Sequence, residues 1–300
     1  MVGNYKAGED RPYANGKEAR IWHLYIGSSE KRLQNYKSTL LQILTEHSVT
    51  TVLDLACGTG LDSAMLVEEG YTVTSTDAGE SFLKYARETR WQRRNEPGFE
   101  NWQIGFGDWL DLKNCEKTVK HPEEGYDALI CIGNSFCCLP DFEGGLKTPK
   151  KALSNFNDLL KPGGVLILDH RNYDYVIRNY TLPPNSHESI YYNSDRSFNV
   201  STTVTFQDGA CKQIATGLHL DLTDTELTED SDVKMTERDG KMVPALKLNT
   251  IPLYPHTLEG ITGLLDEIFT PSRHRLLPDF KEEESCEPSF YVHVVTKPAL

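Results

Sequence analysis

The run Asp54-Leu-Ala-Cys-Gly-Thr-Gly ends an apolar segment and precedes a helix-forming one. Gly58 and Gly60 let the backbone turn tightly and approach a ligand with no Cβ in the way. The amides that open the next helix can then face a polar group. Asp77 ends the next apolar run, about twenty residues on, where a carboxylate can accept both hydroxyls of a ribose. A ligand-free strand–helix turn would leave the same glycines, so the pairing with Asp77 carries the weight. A dinucleotide loop would want Gly-x-Gly-x-x-Gly, and Gly58-Thr-Gly-Leu-Asp-Ser63 lacks the third glycine. Asp54 is read as ordering this loop from behind.

Arg171 follows another apolar run, and its planar fork suits a carboxylate or phosphate. A plain ion pair with Asp169 or Asp174 is the alternative. His170, His219, His256 and His293 are possible bases, but each is read as structural or surface-exposed. His293 sits in an apolar alternation, as a satisfied core histidine would. The seven cysteines form no CxxC pair and no zinc spacing, so no metal is expected. They fit a reduced, cytoplasmic compartment.

These residues need a scaffold. Residues 51–56, 71–76, 102–106, 126–132 and 165–169 read as strands, and 61–70, 81–94 and 153–160 as helices between them. Alternation of this kind predicts a doubly wound α/β domain with a mostly parallel sheet, whose ligands bind beyond the carboxyl ends of the strands. Ahead of it lie a polar arm (residues 1–16) and helical stretches at 17–26 and 36–44. After residue 175 the texture becomes antiparallel, with strands at 190–193, 199–206 and 212–222 and a hairpin turn at Asp208-Gly209. Residues 224–239 read as a solvated loop or ribbon tip, 249–253 as a strand, 257–269 as an amphipathic helix and 289–296 as a closing strand.

Composition narrows the function. With 300 residues, 38% hydrophobic and 10% aromatic, the chain can bury a substantial core. The net charge is −13, and the densest basic group, Arg87, Arg90, Arg93 and Arg94, lies on one predicted helix. Nucleic acid and anionic membrane are therefore unexpected partners. No apolar run approaches the ~20 residues of a membrane span. Met1-Val-Gly-Asn-Tyr-Lys shows no apolar h-region, so no secretory signal is expected.

The loop Leu-Asp-Leu-Ala-Cys-Gly-Thr-Gly, Asp77, the Asp108-Trp109 pair and Lys161-Pro-Gly-Gly together resemble class I S-adenosylmethionine-dependent methyltransferases in order and spacing. More narrowly, the chain resembles the glycine N-methyltransferases and glycine/sarcosine N-methyltransferases. Trp22-His-Leu-Tyr-Ile-Gly, Ile130-Cys-Ile-Gly-Asn-Ser-Phe, Asp169-His-Arg-Asn-Tyr-Asp-Tyr, Ile190-Tyr-Tyr and Phe290-Tyr-Val-His-Val carry that likeness, which runs from about residue 10 to 297.

The resemblance implies a Rossmann-like core at 49–175. Residues 1–48 would form an N-terminal helical arm, 176–250 an antiparallel insertion, and 251–300 a helix and strands completing the core sheet. It implies that Ala56, Gly58, Gly60, Asp77, Asp108 and Trp109 bind S-adenosylmethionine. Asp77 would take the ribose, Asp108 the adenine amino group, and Trp109 would flank the ring. Trp22, Tyr25, Arg32 and Leu139 match positions around the methionine moiety and the acceptor, with Arg32 suited to the cofactor carboxylate. Arg171 becomes the clamp on the acceptor carboxylate, with Asn134 and the Gly133 carbonyl orienting its amino group. Tyr13, Tyr173, Tyr192, Leu253 and Phe290 would line the same chamber. Asp108 stands where the vertebrate enzymes have Asn.

The implied reaction is N-methylation of glycine, continuing to sarcosine, by a cytoplasmic homotetramer in one-carbon metabolism. Its product, dimethylglycine, lies one methylation short of betaine. Another small amino acid or amine as acceptor, or a cofactor- or folate-binding regulatory protein on the same scaffold, stays open on one sequence.

Overall fold

The computed structural model describes residues 17–27, 29–117, 119–141, 144–183, 191, 194–229, 232–249, 253–270, 273–282 and 287–299. Tyr13, Tyr192 and the polar arm lie outside the described residues. So does the predicted strand at 190–193, except for Tyr191.

The parallel core is built as the sequence pattern requires. Strands β1 (Thr51–Asp54), β2 (Thr72–Asp77), β3 (Gln103–Phe106), β4 (Tyr126–Cys131) and β5 (Leu160–Arg171) pair in the order β5-β4-β1-β2-β3, all parallel. Successive residues feed opposite faces, as the two-residue period of a strand dictates. Val52, Ala128, Ile130, Val165 and Ile167 join one core cluster, while Leu53, Leu129, Cys131, Leu166 and Leu168 join the other. Helices α2 (Ser29–Glu46) and α3 (Leu61–Glu68) cover the first face with Tyr36, Leu40, Ile43 and Leu66. Helices α5 (Lys147–Leu159) and α7 (Leu258–Ile268) cover the second with Phe156, Leu153, Leu264 and Leu265. Helix α1 (Lys17–Ile26) packs through Trp22 on Phe82 of α4 (Glu80–Gln92), ring centroids 6.2 Å apart.

Beyond β5 the sheet continues with β11 (Phe290–Thr296) and then β10 (Arg273–Pro278), each antiparallel to its neighbour. β10 was not anticipated, since Arg-His-Arg-Leu-Leu-Pro carries too many polar residues to read as a strand. As the edge strand it is half solvated, which accommodates them. The short helix α6 (Tyr173–Asn179), capped by the Asn172 side chain on the Tyr175 amide, was likewise missed.

The insertion is a second, four-stranded antiparallel sheet, β6-β7-β9-β8. β6 (Ser197–Gln207) and β7 (Ala210–Asp221) turn at Asp208-Gly209, both with positive φ. Of the two readings of 224–239, a solvated loop or a ribbon tip, the ribbon is the one found: strand β8 (Val233–Arg238) turns at Asp239-Gly240 into β9 (Lys241–Asn249). That dipeptide is the same turn signal as the first, masked by the surrounding charges. Of the strand expected at 249–253, residues 250–252 lie outside the described residues; β9 ends at Asn249, and Leu253 forms a bridge to Ile214. Among the described residues no helix is long and apolar enough to cross a membrane.

Candidate active site

The glycine loop leaves β1 at its carboxyl end. Gly58 has φ +52° and a Cβ there would meet nothing within 4 Å, so a ligand can lie directly against this backbone. Gly60 has φ +84°, and its Cβ would press on Ala86 and Trp102 at 2.9 Å. One glycine thus opens the cleft and the other lets the helix pack. Asp77 joins the two sides of the loop, with Oδ2 accepting from the Gly58 amide at 2.9 Å and Oδ1 from the Gly79 amide at 2.7 Å. Burial pushes its carboxyl up, while those amides pull it back.

Asp54 stands behind the loop, as expected. It accepts from the Ala56 amide at 3.3 Å and from the Ser63 hydroxyl at 2.6 Å. The Ser63 hydroxyl accepts from Ser75, and Ser75 from the Trp102 indole, each at 2.7 Å. Burial raises the Asp54 carboxyl to about 7.

Trp109 donates its indole N–H to the Leu55 carbonyl at 2.7 Å and stacks on Phe136 with centroids 5.9 Å apart. Leu139 is buried in the cluster against which Trp109 packs. Asp108 accepts from the Leu110 amide at 2.9 Å through one oxygen. The open glycine backbone, a loop-bound carboxylate and a half-buried indole beside it fit an adenosyl group.

Arg32 is buried on α2 and already committed. Its Nη2 pairs with Asp62 at 2.9 Å, its Nε donates to the Tyr36 hydroxyl at 3.1 Å, and its carbon lies 4.9 Å from the Tyr191 ring centre. Tyr36 also hydrogen-bonds Asp62. The charge that Arg32 offers a ligand carboxylate is therefore partly neutralised, a point that residue type alone did not show. Asp62, Tyr36 and Tyr191 were all missed. A pair thirty residues apart on two helices leaves no signal in one sequence.

Gly133 (φ +80°) and Asn134 (φ +67°) form a left-handed step after β4. Asp169 on β5 clamps it, accepting the Gly133 amide at 3.0 Å and the Asn134 amide at 2.7 Å. Burial lifts the Asp169 carboxyl to about 6. The Asn134 side chain is turned inward: its oxygen accepts from the Arg171 amide at 2.9 Å and its NH2 donates to the Tyr173 hydroxyl at 2.7 Å. Asn134 thus ties the turn to β5, and the Gly133 carbonyl is the group expected to meet an amine.

The Arg171 guanidinium lies 4.8 Å from the Phe290 ring centre, and its charge reaches Tyr25 and Tyr173. Of the two carboxylates offered as plain partners, Asp169 accepts from the amides of this turn and Asp174 from the Leu258 amide. Trp22 and Tyr25, centroids 5.9 Å apart, bring α1 over the site. Leu253 packs beside Tyr173 and Cys137. Burial drives His170 and His256 down to about 4 and His293 well below its ordinary value, so none of these is a base poised near neutrality. His219 lies on β7 in the insertion. Among the described residues no group of three or more His, Cys, Asp or Glu could hold a metal ion.

A family model described as a methyltransferase domain matches residues 46–240. Glycine N-methyltransferase of Rattus norvegicus is 40% identical over 289 residues, covering 95% of this chain and 92% of that protein. Glycine/sarcosine N-methyltransferase of Parasynechococcus marenigrum is 36% identical over 155 residues, 52% of this chain and 50% of that one. Among solved structures, an S-adenosylmethionine-dependent methyltransferase from Clostridium acetobutylicum superposes with a TM-score of 0.62 at 16% identity, covering 94% of this chain and 98% of its own. At that identity the likeness speaks for the fold alone.

Proposed function

The chain belongs to the glycine N-methyltransferase family, and from that premise we propose that it methylates the amino nitrogen of glycine and then of sarcosine, using S-adenosylmethionine. The observation that carries this reading is the clamped Gly133–Asn134 turn. It is locked to the backbone of Arg171, so a carbonyl for an amine and a cation for a carboxylate come as one rigid unit. An α-amino acid carries both groups at a fixed spacing.

S-adenosylmethionine, when bound, supplies a sulfonium methyl to a neutral amine. The chain's own part is positioning. Asp77 holds the ribose hydroxyls, Ala56, Gly58 and Gly60 line the loop, Asp108 and Trp109 take the adenine, and Arg32 faces the methionine carboxylate with Trp22, Tyr25 and Leu139 around it. Arg171 grips the acceptor carboxylate bidentately and fixes the line of attack. The Gly133 carbonyl orients the amine. Tyr173, held by Asn134, walls the chamber with Leu253 and Phe290, to which the resemblance adds Tyr13 and Tyr192. The acceptor must arrive without its extra proton, so turnover should rise with pH. We also propose a cytoplasmic homotetramer with a place in one-carbon metabolism.

Sarcosine as a second acceptor is favoured by what lines the pocket. Phe290 presents a ring rather than a hydroxyl beneath Arg171, and Leu253 is aliphatic. At these two positions there is no hydroxyl for an N-methyl group to strand. One methylene in an apolar pocket changes kcat/KM by about 10–200-fold. Purified protein with labelled cofactor and glycine, sarcosine or dimethylglycine tests this. Sarcosine from glycine and dimethylglycine from sarcosine are expected, with kcat/KM values within about two orders of magnitude. Transfer to neither acceptor would refute the reading, and transfer to glycine alone would refute its second step.

A further inference from the structure

Three imidazoles stand in file behind Arg171, outside the cleft described above. His170 on β5, His293 on β11 and His274 on β10 point to the same face of three adjacent strands. His170 Nδ1 lies 2.8 Å from the Arg171 carbonyl oxygen. His170 Nε2 lies 3.0 Å from His293 Nε2, and His293 Nδ1 lies 2.8 Å from His274 Nε2. The outer nitrogen of His274 faces Asp266 of α7 at 3.5 Å, and that carboxylate is 57% exposed. His170 and His293 are fully buried.

Donor counting fixes the direction of every bond in the file. A carbonyl oxygen only accepts, so His170 must carry its proton on Nδ1. Burial keeps the inner two rings neutral, and a neutral imidazole has one donor and one acceptor. His170 Nε2 is then an acceptor, so His293 donates from Nε2. His293 Nδ1 becomes an acceptor in turn, and His274 must donate from Nε2. The innermost partner has no proton to pass on, so the file is not a proton relay to the substrate. It is a tether: its inner end holds the Arg171 carbonyl, while Asn134 holds the Arg171 amide at 2.9 Å.

We propose that His170, His293 and His274 form a one-directional hydrogen-bond chain, its direction set by the Arg171 carbonyl, that positions Arg171 for the acceptor, with the donor at His274 anchoring its outer end. The proposal rests on Arg171 being the acceptor clamp. If the outer donor is lost, His293 Nδ1 is left a buried acceptor with no partner, its ring is no longer held in line, and the hold that passes through His170 to the Arg171 carbonyl loosens.

Two variants of similar length separate this from packing. The side-chain amide of His274→Gln can still donate to His293, whereas His274→Met offers no donor. His274→Gln should keep the acceptor KM near that of the parent. His274→Met should raise it about tenfold, the scale of one lost hydrogen bond, with kcat and cofactor Kd little changed. Equal KM values in two folded variants would overturn the proposal. Should His274→Met fail to fold, 15N NMR of histidine-labelled native protein still decides. His170 protonated on Nδ1 and His293 on Nε2 is the expected pattern, and the reverse overturns it. That pattern is read whatever Arg171 binds. A failed clamp, seen as Arg171→Lys with unchanged acceptor KM, is therefore told apart from a failed chain, and either result overturns the proposal.

Discussion

Replacing Asp77 by Asn should weaken cofactor binding strongly while leaving the empty fold intact. In the parent, two carboxylate oxygens accept the Gly58 and Gly79 amides at 2.9 and 2.7 Å. Asn keeps one oxygen and turns an NH2 toward the other amide, so one loop contact becomes donor against donor. The same exchange removes one acceptor for a ribose hydroxyl. Each charge-assisted bond is worth ~1.5–3 kcal/mol. The one bond lost to the ligand gives ~1.5–3 kcal/mol, or about 10–10² in Kd. The unliganded protein feels a counterweight. Burial already penalises the Asp77 carboxylate and pushes its pKa up, and a neutral amide relieves that cost. Relief of the buried charge offsets the lost loop contact, so affinity should fall while stability changes little, a split that general damage to the loop would not produce. Calorimetry with S-adenosylmethionine and its demethylated product, beside thermal unfolding of the ligand-free protein, reads both. The pH dependence adds a check. The parent should lose affinity as pH falls through the raised pKa of Asp77, and Asp77→Asn should lack that limb. A folded Asp77→Asn protein with Kd within about threefold of the parent would refute the ribose assignment.

Arg171→Lys should raise the acceptor KM at least about tenfold, because a point charge does not reproduce a bidentate fork; cofactor Kd, read by calorimetry, should hold. Asp54→Asn tests the carboxyl held near 7 against its ordinary 3.8. Between those values the folded chain keeps a proton that the unfolded chain has lost. The parent's stability should therefore fall as pH rises through that window, by up to about 4 kcal/mol from this group. Urea unfolding from pH 4 to 8 should show a shallower decline in Asp54→Asn, and identical slopes would count against the raised carboxyl.

Local chemistry was legible in the sequence. The glycines after β1, Asp77 at the end of β2, the two-faced apolarity of β4 and β5, and the Asp208-Gly209 turn each follow from a few neighbouring residues, because dihedral preference and strand period act over that range. Resemblance then gathered Arg171, Asn134 and Phe290 into one site before any coordinates. What stayed hidden depends on facing partners. That Asn134 spends its amide on Tyr173 and Arg171, that Asp62 meets Arg32, and that polar β10 is a strand at all were settled by packing. The histidine file is the clearest case. Residues 170, 274 and 293 meet because β11 pairs Tyr291 with His170 and β10 pairs Leu276 with His293. A one-residue slip in either register would send an imidazole to the opposite face. β5 and β11 bury their two faces in different cores and β10 buries Leu277 in one of them, and it is that burial, not anything written near the histidines, that forbids the slip.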